Sequence, residues 1–215
     1  PISWRVICGP TGSGKTRLLH ALRDVGAQVL DLEGLAHHRS SVLGLIPGQS
    51  QPSQKKFDTL IWDALGRFDP QGPVFVESES RKVGNVSIPE ALMTAMRASA
   101  CIRVETATEL RVELLMQDYP FFVQDSDFFC TRLQTLVDLR GREVVQAWCE
   151  AAQSGRSREV VRQLLEQHYD PGYAQSTQRN YSRFADAQVL QLDDIGASAL
   201  RRLAQGLLSG LPPSA

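Results

Sequence analysis

The sequence predicts an α/β fold, with a mostly parallel five-stranded sheet and a helical insertion. Three observations support this prediction. Short apolar segments alternate with stretches of helical apolar spacing, as in sheets built from right-handed crossovers. The first such pair flanks Gly9-Pro10-Thr11-Gly12-Ser13-Gly14-Lys15-Thr16, a pattern that binds phosphate between a strand and a helix. From about residue 109 to about residue 180 the pattern is almost wholly helical. We therefore expect one P-loop NTPase-like domain over residues 1–215.

Five strands are predicted, and the second and third are short and apolar enough to be buried in the sheet. The five strands span residues 4–8, 27–32, 73–77, 101–105 and 189–192. Helices are predicted from the glycine-rich loop to about residue 25 and over residues 54–68, 90–97 and 196–208. Residues 46–53 and 78–85 are predicted loops, because they are rich in polar residues, glycine and serine.

Local signals mark the ends of three predicted helices. Gly26 is expected to end the first helix in a left-handed conformation. Pro89 suits the first position of the helix over residues 90–97. Thr106-Ala107-Thr108-Glu109 resembles a capping box, so we expect Thr106 to cap the first helix of the insertion.

Composition limits the kinds of partner. The net charge of −1 gives no global field for nucleic acid or anionic membranes, so any RNA contact needs a local basic face. The four cysteines are widely spaced, which indicates neither a zinc site nor a disulfide framework. The first strand begins by Trp4 and no apolar run is long enough to cross a membrane. We expect a cytoplasmic protein without a signal peptide and with no membrane or DNA partner.

The glycine-rich loop predicts a site for a di- or triphosphate. Its glycines let backbone amides turn toward a phosphate, and the following helix adds the positive end of its dipole. Lys15 supplies a positive charge and Thr16 offers a hydroxyl to Mg²⁺. The expected phosphate-binding residues are Gly9, Thr11, Gly12, Ser13, Gly14, Lys15 and Thr16.

Four carboxylates should meet at the carboxyl edge of the sheet, where ligands bind in open α/β folds. They are Asp31, Glu33, Glu77 and Glu79. Glu77 ends the third strand in the manner of a Walker B acid, and we expect it to hold Mg²⁺ together with Thr16. Two interpretations of Asp31 and Glu33 stay open. They orient the metal's water shell or a nucleoside, or they cap a helix and pair with loop residues.

Further segments carry a resemblance to a known family. They are Val29 to Arg39, Pro52-Ser53-Gln54, Glu77-Ser78-Glu79-Ser80-Arg81 with Gly84 beyond it, and Tyr169-Asp170-Pro171-Gly172-Tyr173. Together with the glycine-rich loop, these segments resemble the P-loop domain of tRNA 2-selenouridine synthase and span most of the chain. The stretches around Asp31 and Glu77 are more specific than the loop, which many NTPases share.

The chain departs from that family in two places. The family usually has Arg-Gly-Ser and a Phe before the glycine, where this chain has Arg39-Ser40-Ser41-Val42-Leu43-Gly44. The family also carries an N-terminal rhodanese-like domain with a cysteine implicated in selenium transfer, and none precedes Trp4. We therefore expect a rhodanese-like domain as a partner, in cis or in trans, and do not expect this chain alone to complete selenation.

The resemblance implies a transferase that converts 2-thiouridine to 2-selenouridine in the anticodon of tRNA. In the implied reaction, geranyl diphosphate first alkylates the sulfur, and selenium from selenophosphate then displaces the S-geranyl group. This chain would bind the diphosphate donor and the anticodon region. The loop would then hold the leaving diphosphate, so ATP or GTP is an alternative ligand and not an obligatory one.

The resemblance also implies residue roles. The expected catalytic residues are Lys15, Arg39, Glu77 and Arg81. The residues expected to contact substrate or tRNA are Asp31, Glu33, His38, Arg39, Glu79, Arg81 and Tyr173. Arg39 grips a phosphate bidentately or forms an ordinary ion pair. Arg81 joins a phosphate clamp or contacts the tRNA backbone.

Two features of the helical part have alternative interpretations. Its arginines either face RNA phosphates, with Tyr169 or Tyr173 stacking on an unpaired base, or belong to solvated helix faces. They are Arg132, Arg140, Arg142, Arg156, Arg158 and Arg162. The pairs Phe121-Phe122 and Phe128-Phe129 are expected in the core, with a slot for a prenyl chain as the alternative.

Two other classes of function stay open. A small-molecule or nucleotide kinase has the same loop, the same sheet and a helical lid, although the sequence contains no kinase-specific motif. A non-catalytic, NTP-dependent RNA-binding module uses the loop only as a conformational switch.

Overall fold

The computed structural model describes residues 2–39, 41, 43–44, 46 and 48–210. The strands are β1 (Ser3–Cys8), β2 (Gln28–Leu30), β3 (Pro73–Glu77), β4 (Lys82–Val83), β5 (Val86–Ser87), β6 (Ala100–Glu105) and β7 (Gln188–Gln191). Five of them form one sheet in the order β2-β3-β1-β6-β7. All neighbours in this sheet are parallel, and the central β1 aligns Val6 with Val76 and Cys101. The predicted five-stranded parallel sheet is confirmed.

Twelve α-helices lie in the part of the chain that the structure describes. They are α1 (Lys15–Asp24), α2 (Leu32–Ala36), α3 (Gln54–Leu65), α4 (Glu90–Arg97), α5 (Thr108–Asp118), α6 (Phe121–Gln124), α7 (Ser126–Gln134), α8 (Val137–Arg140), α9 (Arg142–Gln153), α10 (Ser157–Leu164), α11 (Asp170–Asn180) and α12 (Ala197–Ser209). A π-helical turn, Leu165–Tyr169, joins α10 to α11. Helices α5 to α11 form the helical insertion between β6 and β7. Among these described helices, none is both long and apolar enough to cross a membrane.

Three apolar clusters form the core. One covers the face of the sheet under α3 and α4 and includes Trp4, Phe57 and Met93. A second lies on the opposite face, where α1 and α12 pack through residues such as Leu18 and Leu200. The third fills the helical insertion. The sheet is therefore covered on both faces, which accounts for its apolar central strands, whereas the edge strand β7 is mostly exposed.

The phenylalanine pairs belong to the core of the insertion. Phe122 and Phe129 are buried and stack with ring centroids 4.3 Å apart. Phe121 and Phe128 are half-buried and pack against the same cluster. The core interpretation of these residues is confirmed.

The second strand is shorter than predicted. It ends at Leu30, because the Asp31 carboxylate accepts a hydrogen bond from Gly34 N at 2.8 Å and starts the short helix α2. By contrast, β3 and α4 have the predicted bounds. Gly26 has the expected positive φ, 94°, after α1.

The expected capping box is wrong. Helix α5 begins after Ala107, which makes no side-chain cap. The Thr106 hydroxyl instead donates to Ser13 O at 2.9 Å, and Glu109 pairs with Arg162. The Thr106 side chain thus contacts the glycine-rich loop, residues 9–16, which we also call the phosphate loop, and does not cap α5.

The helix N-terminus at Pro89 and the predicted loop over residues 78–85 also differ from expectation. Pro89 is the N-cap of α4, one position before the expected one. Within and beyond the predicted loop, β4 and β5 form an antiparallel hairpin whose turn includes Gly84 at φ 60°. The Gln51 side chain supports this turn through Val83 O and Asn85 N, at 3.0 and 2.8 Å.

Candidate functional site

A cavity of about 440 Å³ lies at the carboxyl edge of the sheet, within the usual size range of ligand pockets. Its lining includes the glycine-rich loop, the segment after β3, helix α5 and helix α11, together with Glu33, Arg39 and Arg97. The open α/β fold predicts a ligand site at this edge. The helical insertion supplies the opposite wall.

The glycine-rich loop has the backbone that its glycines predict. Gly12 and Gly14 have φ of 74° and 88°, values that residues with a Cβ adopt only with strain. A Cβ on Gly9 would lie 2.4 Å from Ser13 Oγ. Lys15 Nζ donates to Gly9 O at 2.8 Å and to Pro10 O at 3.4 Å, so the ammonium lies across the loop. The loop thus forms a concave site suited to an anion, and the Lys15 ammonium lies next to the backbone of that site.

A buried arginine holds the loop in place. Arg111 on α5 donates through Nε and Nη2 to Thr11 O at 3.0 and 2.8 Å. The same guanidinium pairs with both oxygens of Asp170 at 3.0 and 2.6 Å. Arg111 thus connects the phosphate loop to the first residue of α11. The sequence analysis missed Arg111; Asp170 lay within a segment of the resemblance, but no sequence pattern linked the two.

Three carboxylates come together beside the loop. Glu33, Glu77 and Glu79 each offer an oxygen, and these oxygens lie within 4.8 Å of one another. Thr16 Oγ1 lies 3.5 Å from Glu33 Oε2 and also faces Glu77. The sequence predicted that these carboxylates would converge, and the structure brings them together.

Burial makes it costly for the carboxyls of this cluster to be ionised together. It raises the pKa of Glu77, and Lys15 and Thr16 oppose that rise. Burial also raises the pKa of Glu33 well above its ordinary value, with the charges of Glu77 and Glu79 adding to the effect. Glu77 Oε1 is buried and has no hydrogen-bond partner among the described residues. Buried carboxylate oxygens with a nearby hydroxyl fit a hard divalent cation such as Mg²⁺.

Asp31 and His38 lie outside this cavity. The Asp31 carboxylate caps α2 and pairs with His20 Nε2 at 2.8 Å, which is the capping alternative that the sequence left open. His38 is buried, and burial together with Arg132 lowers its pKa. Neither residue lines the cavity.

Arg39 lies on the cavity wall and is held from two sides. Its guanidinium lies over the Tyr119 ring, 4.7 Å from the centroid, and its Nη1 is 3.8 Å from Asp118 Oδ2. Asp118 also accepts from Arg17 Nη2 at 2.6 Å. The sequence analysis did not select Asp118 or Tyr119, because only the folded chain brings the end of α5 to Arg39.

Arg81 and Tyr173 also line the cavity. Arg81 is exposed and forms an ion pair with Glu90. The Tyr173 hydroxyl is buried, and burial raises the pKa of that hydroxyl.

Several arginines of the insertion make local contacts at the surface. Arg158 and Arg162 pair with Glu109, Arg156 pairs with Glu159, and Arg140 donates to His168. None of them lines the cavity.

Residues 39–44 form the segment in which this chain departs from the family pattern. Within that segment, Ser40 and Val42 lie outside the described residues.

The fold and this site define a P-loop NTPase-like α/β protein. A family model described as the tRNA 2-selenouridine synthase AAA domain matches residues 2–135. The chain therefore belongs to the tRNA 2-selenouridine synthase family.

Individual relatives agree with this assignment. The chain is 35% identical over 170 residues to tRNA 2-selenouridine synthase of Nitrosomonas europaea, covering 77% of this chain and 40% of that protein. It is 34% identical over 198 residues to the synthase of Aeromonas salmonicida, covering 79% of this chain and 52% of that protein. The chain thus spans about half or less of the length of these relatives.

Solved structures show more distant similarity. TT1252 from Thermus thermophilus superposes with a TM-score of 0.44 at 19% identity and covers 99% of each chain. Shikimate kinase from Acinetobacter baumannii, in complex with shikimate, superposes with a TM-score of 0.42 at 16% identity, covering 97% of this chain and 92% of that one.

Proposed function

We propose that this chain is the donor-binding part of an enzyme that modifies the wobble uridine of tRNA. Geranyl diphosphate is the proposed donor, and the 2-thio group of the uridine is the acceptor. Selenium from selenophosphate then replaces the S-geranyl group, with a rhodanese-like domain supplied in cis or in trans. Family membership supports the substrate class, and the cavity supports the first step.

The observation that carries the proposal is the composition of one continuous cavity. It joins the glycine-rich loop and the carboxylate cluster to an apolar wall formed by Leu114 and Leu115 of α5 and by Tyr119, the residue that follows α5. A prenyl diphosphate has the matching halves, a charged head and an apolar tail. The apolar wall therefore comes from α5 and not from the phenylalanine pairs.

In the proposed step, the uridine sulfur attacks C1 of the geranyl group. The carbon–sulfur bond forms as the C1–oxygen bond breaks, and diphosphate leaves with the electron pair of that bond. The uridine loses its N3 proton to solvent. The sulfur is thereby alkylated without any ATP.

The chain's own residues stabilise the leaving group. Lys15 and the amides of the glycine-rich loop face the charge that grows on the diphosphate. Arg39, fixed by Tyr119 and Asp118, is placed to bind a terminal phosphate. Thr16 and the three clustered glutamates are the residues that would hold Mg²⁺. When bound, the cation neutralises charge on the diphosphate oxygens.

Calorimetric titration tests the choice of ligand. We expect geranyl diphosphate with Mg²⁺ to bind the chain, and to bind about 100-fold more weakly to Lys15→Ala. Lys55→Ala, which changes an exposed lysine of α3, is the matched control and should bind as the wild type does. Glu77→Gln should remove the Mg²⁺ dependence of binding. Tight binding of ATP with none of geranyl diphosphate would contradict the proposal and favour a kinase.

A further inference from the structure

The cavity wall has a further part, which adjoins the glycine-rich loop where the Tyr173 hydroxyl faces Gly9. Helix α11 and the end of α4 form it, and we call it the α11 arm. The residues of the α11 arm are Arg97, Tyr173, Ser176, Thr177, Asn180 and Tyr181. The step proposed above assigns no role to most of these side chains.

Arg97 has a buried hydrogen-bond donor that no described residue satisfies. Its Nε is buried and has no hydrogen-bond partner among the described residues, and no described carboxylate forms an ion pair with it. Its backbone carbonyl accepts from Ser182 N at 3.0 Å and from Ser182 Oγ at 3.2 Å. Buried donors in folded proteins nearly always have a partner. An Nε–H left unpaired beside a cavity indicates that a ligand supplies the acceptor.

The neighbouring side chains define what the ligand is. Tyr173 supplies a half-buried aromatic ring. Tyr181 is buried in the core under α4, and its hydroxyl donates to Glu79 O at 3.1 Å. Asn180 Nδ2 donates to Ser176 O at 2.8 Å and to Ser176 Oγ at 3.2 Å, which leaves the amide oxygen as an acceptor. An aromatic ring with one amide acceptor and one guanidinium donor matches an unstacked base, which proteins stack on and read along its edge.

Charge favours a neutral base over a second anion. The α11 arm adjoins the carboxylate cluster, since Tyr181 bonds to the backbone of Glu79, whose carboxylate belongs to that cluster. Any carboxylate of the cluster that is ionised and not neutralised by a cation repels a second phosphate compound, whereas a pyrimidine ring is uncharged. Uracil and 2-thiouracil also offer one N–H donor, at N3, between carbonyl or thiocarbonyl acceptors on a single edge.

We propose that the α11 arm binds the extruded pyrimidine base of the acceptor nucleotide. Arg97 donates to an exocyclic oxygen or sulfur of the base, Asn180 accepts from N3–H, and Tyr173 lies against the ring. Because the arm and the phosphate loop share one cavity, the base and the donor meet between them. This inference rests on the proposed function.

Photocrosslinking tests the location of the base without requiring turnover. The probe is an anticodon stem-loop with 4-thiouridine at the wobble position, irradiated with the chain and mapped by mass spectrometry of peptides. We expect the crosslink at residue 97 or within residues 173–181. Crosslinks confined to other segments, or none at all, would overturn the inference.

Side-chain variants test the named contacts. Arg97→Gln and Asn180→Ala should each weaken binding of a 2-thiouridine stem-loop about tenfold, while affinity for geranyl diphosphate stays unchanged. Arg179→Gln, an exposed neighbour on α11 outside the cavity, is the matched control. Equal RNA affinity in all three variants would refute the inference. Thermal unfolding of each variant excludes a folding defect as the cause of any loss.

These outcomes separate the inference from the function on which it rests. Geranylation with a crosslink elsewhere leaves prenyl transfer standing and refutes the base site. A crosslink in the α11 arm without geranylation supports the base site and refutes prenyl transfer.

Discussion

Arg111 is the residue on which the geometry of the phosphate loop most depends. It is 5% exposed and connects Thr11 O to Asp170. Asp170→Asn keeps the shape of the partner but removes its charge. We expect a loss of about 1–3 kcal/mol in the free energy of unfolding, because a buried guanidinium loses its counter-charge.

Urea unfolding measures this loss. Glu159→Gln is the matched control, since it removes an exposed partner of Arg156 and should change stability by no more than about 0.5 kcal/mol. Equal, small effects of the two variants would show that Arg111 does not need Asp170.

His20 and Asp31 form a pH-dependent pair between α1 and α2. The hydrogen bond to Asp31 is the main cause that raises the pKa of His20 above its ordinary 6.5. Burial raises the pKa of Asp31, but the bonds from His20 and Gly34 outweigh it and lower that pKa below 3.8. The pair therefore stabilises the fold at pH values between the lowered pKa of Asp31 and the raised pKa of His20. Its contribution is lost as pH rises through the raised pKa of His20.

Thermal unfolding of the wild type and His20→Gln measures this dependence. At about pH 5.5 we expect the wild type to be more stable by about 0.2–1 kcal/mol, since the pair is partly exposed. At about pH 8.5 the difference should vanish. A difference that does not change with pH would mean that the pair is not an ion pair.

The sequence predicted that a loop joins the first strand to the first helix and that four carboxylates converge, of which three do. It could do so because each follows a strand, and parallel strands end at one edge. It left Asp31 undecided, because a carboxylate after a strand can cap a helix equally well. Arg111, Asp118 and Tyr119 escaped prediction because their contacts join segments that are distant in sequence.

At the scale of the element, the loop and α1 depend on a backbone that only glycine adopts freely. A Cβ on Gly14 would lie 2.6 Å from Leu192 Cδ2, whose side chain can move, but the φ of 88° would remain strained. We expect Gly14→Ala to lower the free energy of unfolding by about 1–2 kcal/mol and to weaken binding of geranyl diphosphate.

Gly206→Ala in α12 is the contrasting variant. A Cβ there meets no atom within 4 Å, and alanine favours a helix by up to about 1 kcal/mol over glycine. This variant should therefore be more stable than the wild type in denaturant unfolding, with donor binding unchanged. A stable Gly14→Ala that binds the donor normally would contradict the account of the loop.

Periodicity and apolar content predicted the sheet strands and the sheet-flanking helices, because those elements bury continuous apolar surface. The signals that failed were local ones. The capping-box pattern at residues 106–109 was wrong, because the Thr106 hydroxyl bonds to Ser13 O instead. The hairpin of β4 and β5 was missed because two-residue strands carry no periodic signal.

At the scale of the whole molecule, the cavity depends on the insertion as much as on the sheet. The sheet supplies the phosphate loop and the carboxylates, while α5 and α11 supply the apolar wall and the α11 arm. Helical periodicity predicted that an insertion exists but not which of its faces turns toward the loop. That arrangement follows from the Arg111 contact and the packing of the third core cluster.

The central claim is that this cavity transfers a prenyl group from a diphosphate to sulfur. The most direct test is a single-turnover reaction of the chain with a 2-thiouridine stem-loop, geranyl diphosphate and Mg²⁺, without ATP, read by mass spectrometry of the nucleosides. We predict S-geranyl-2-thiouridine, with the product absent from Lys15→Ala and present with Lys55→Ala. Unmodified 2-thiouridine with the wild type would contradict the claim, and hydrolysis of ATP in a parallel reaction that contains it would favour a kinase.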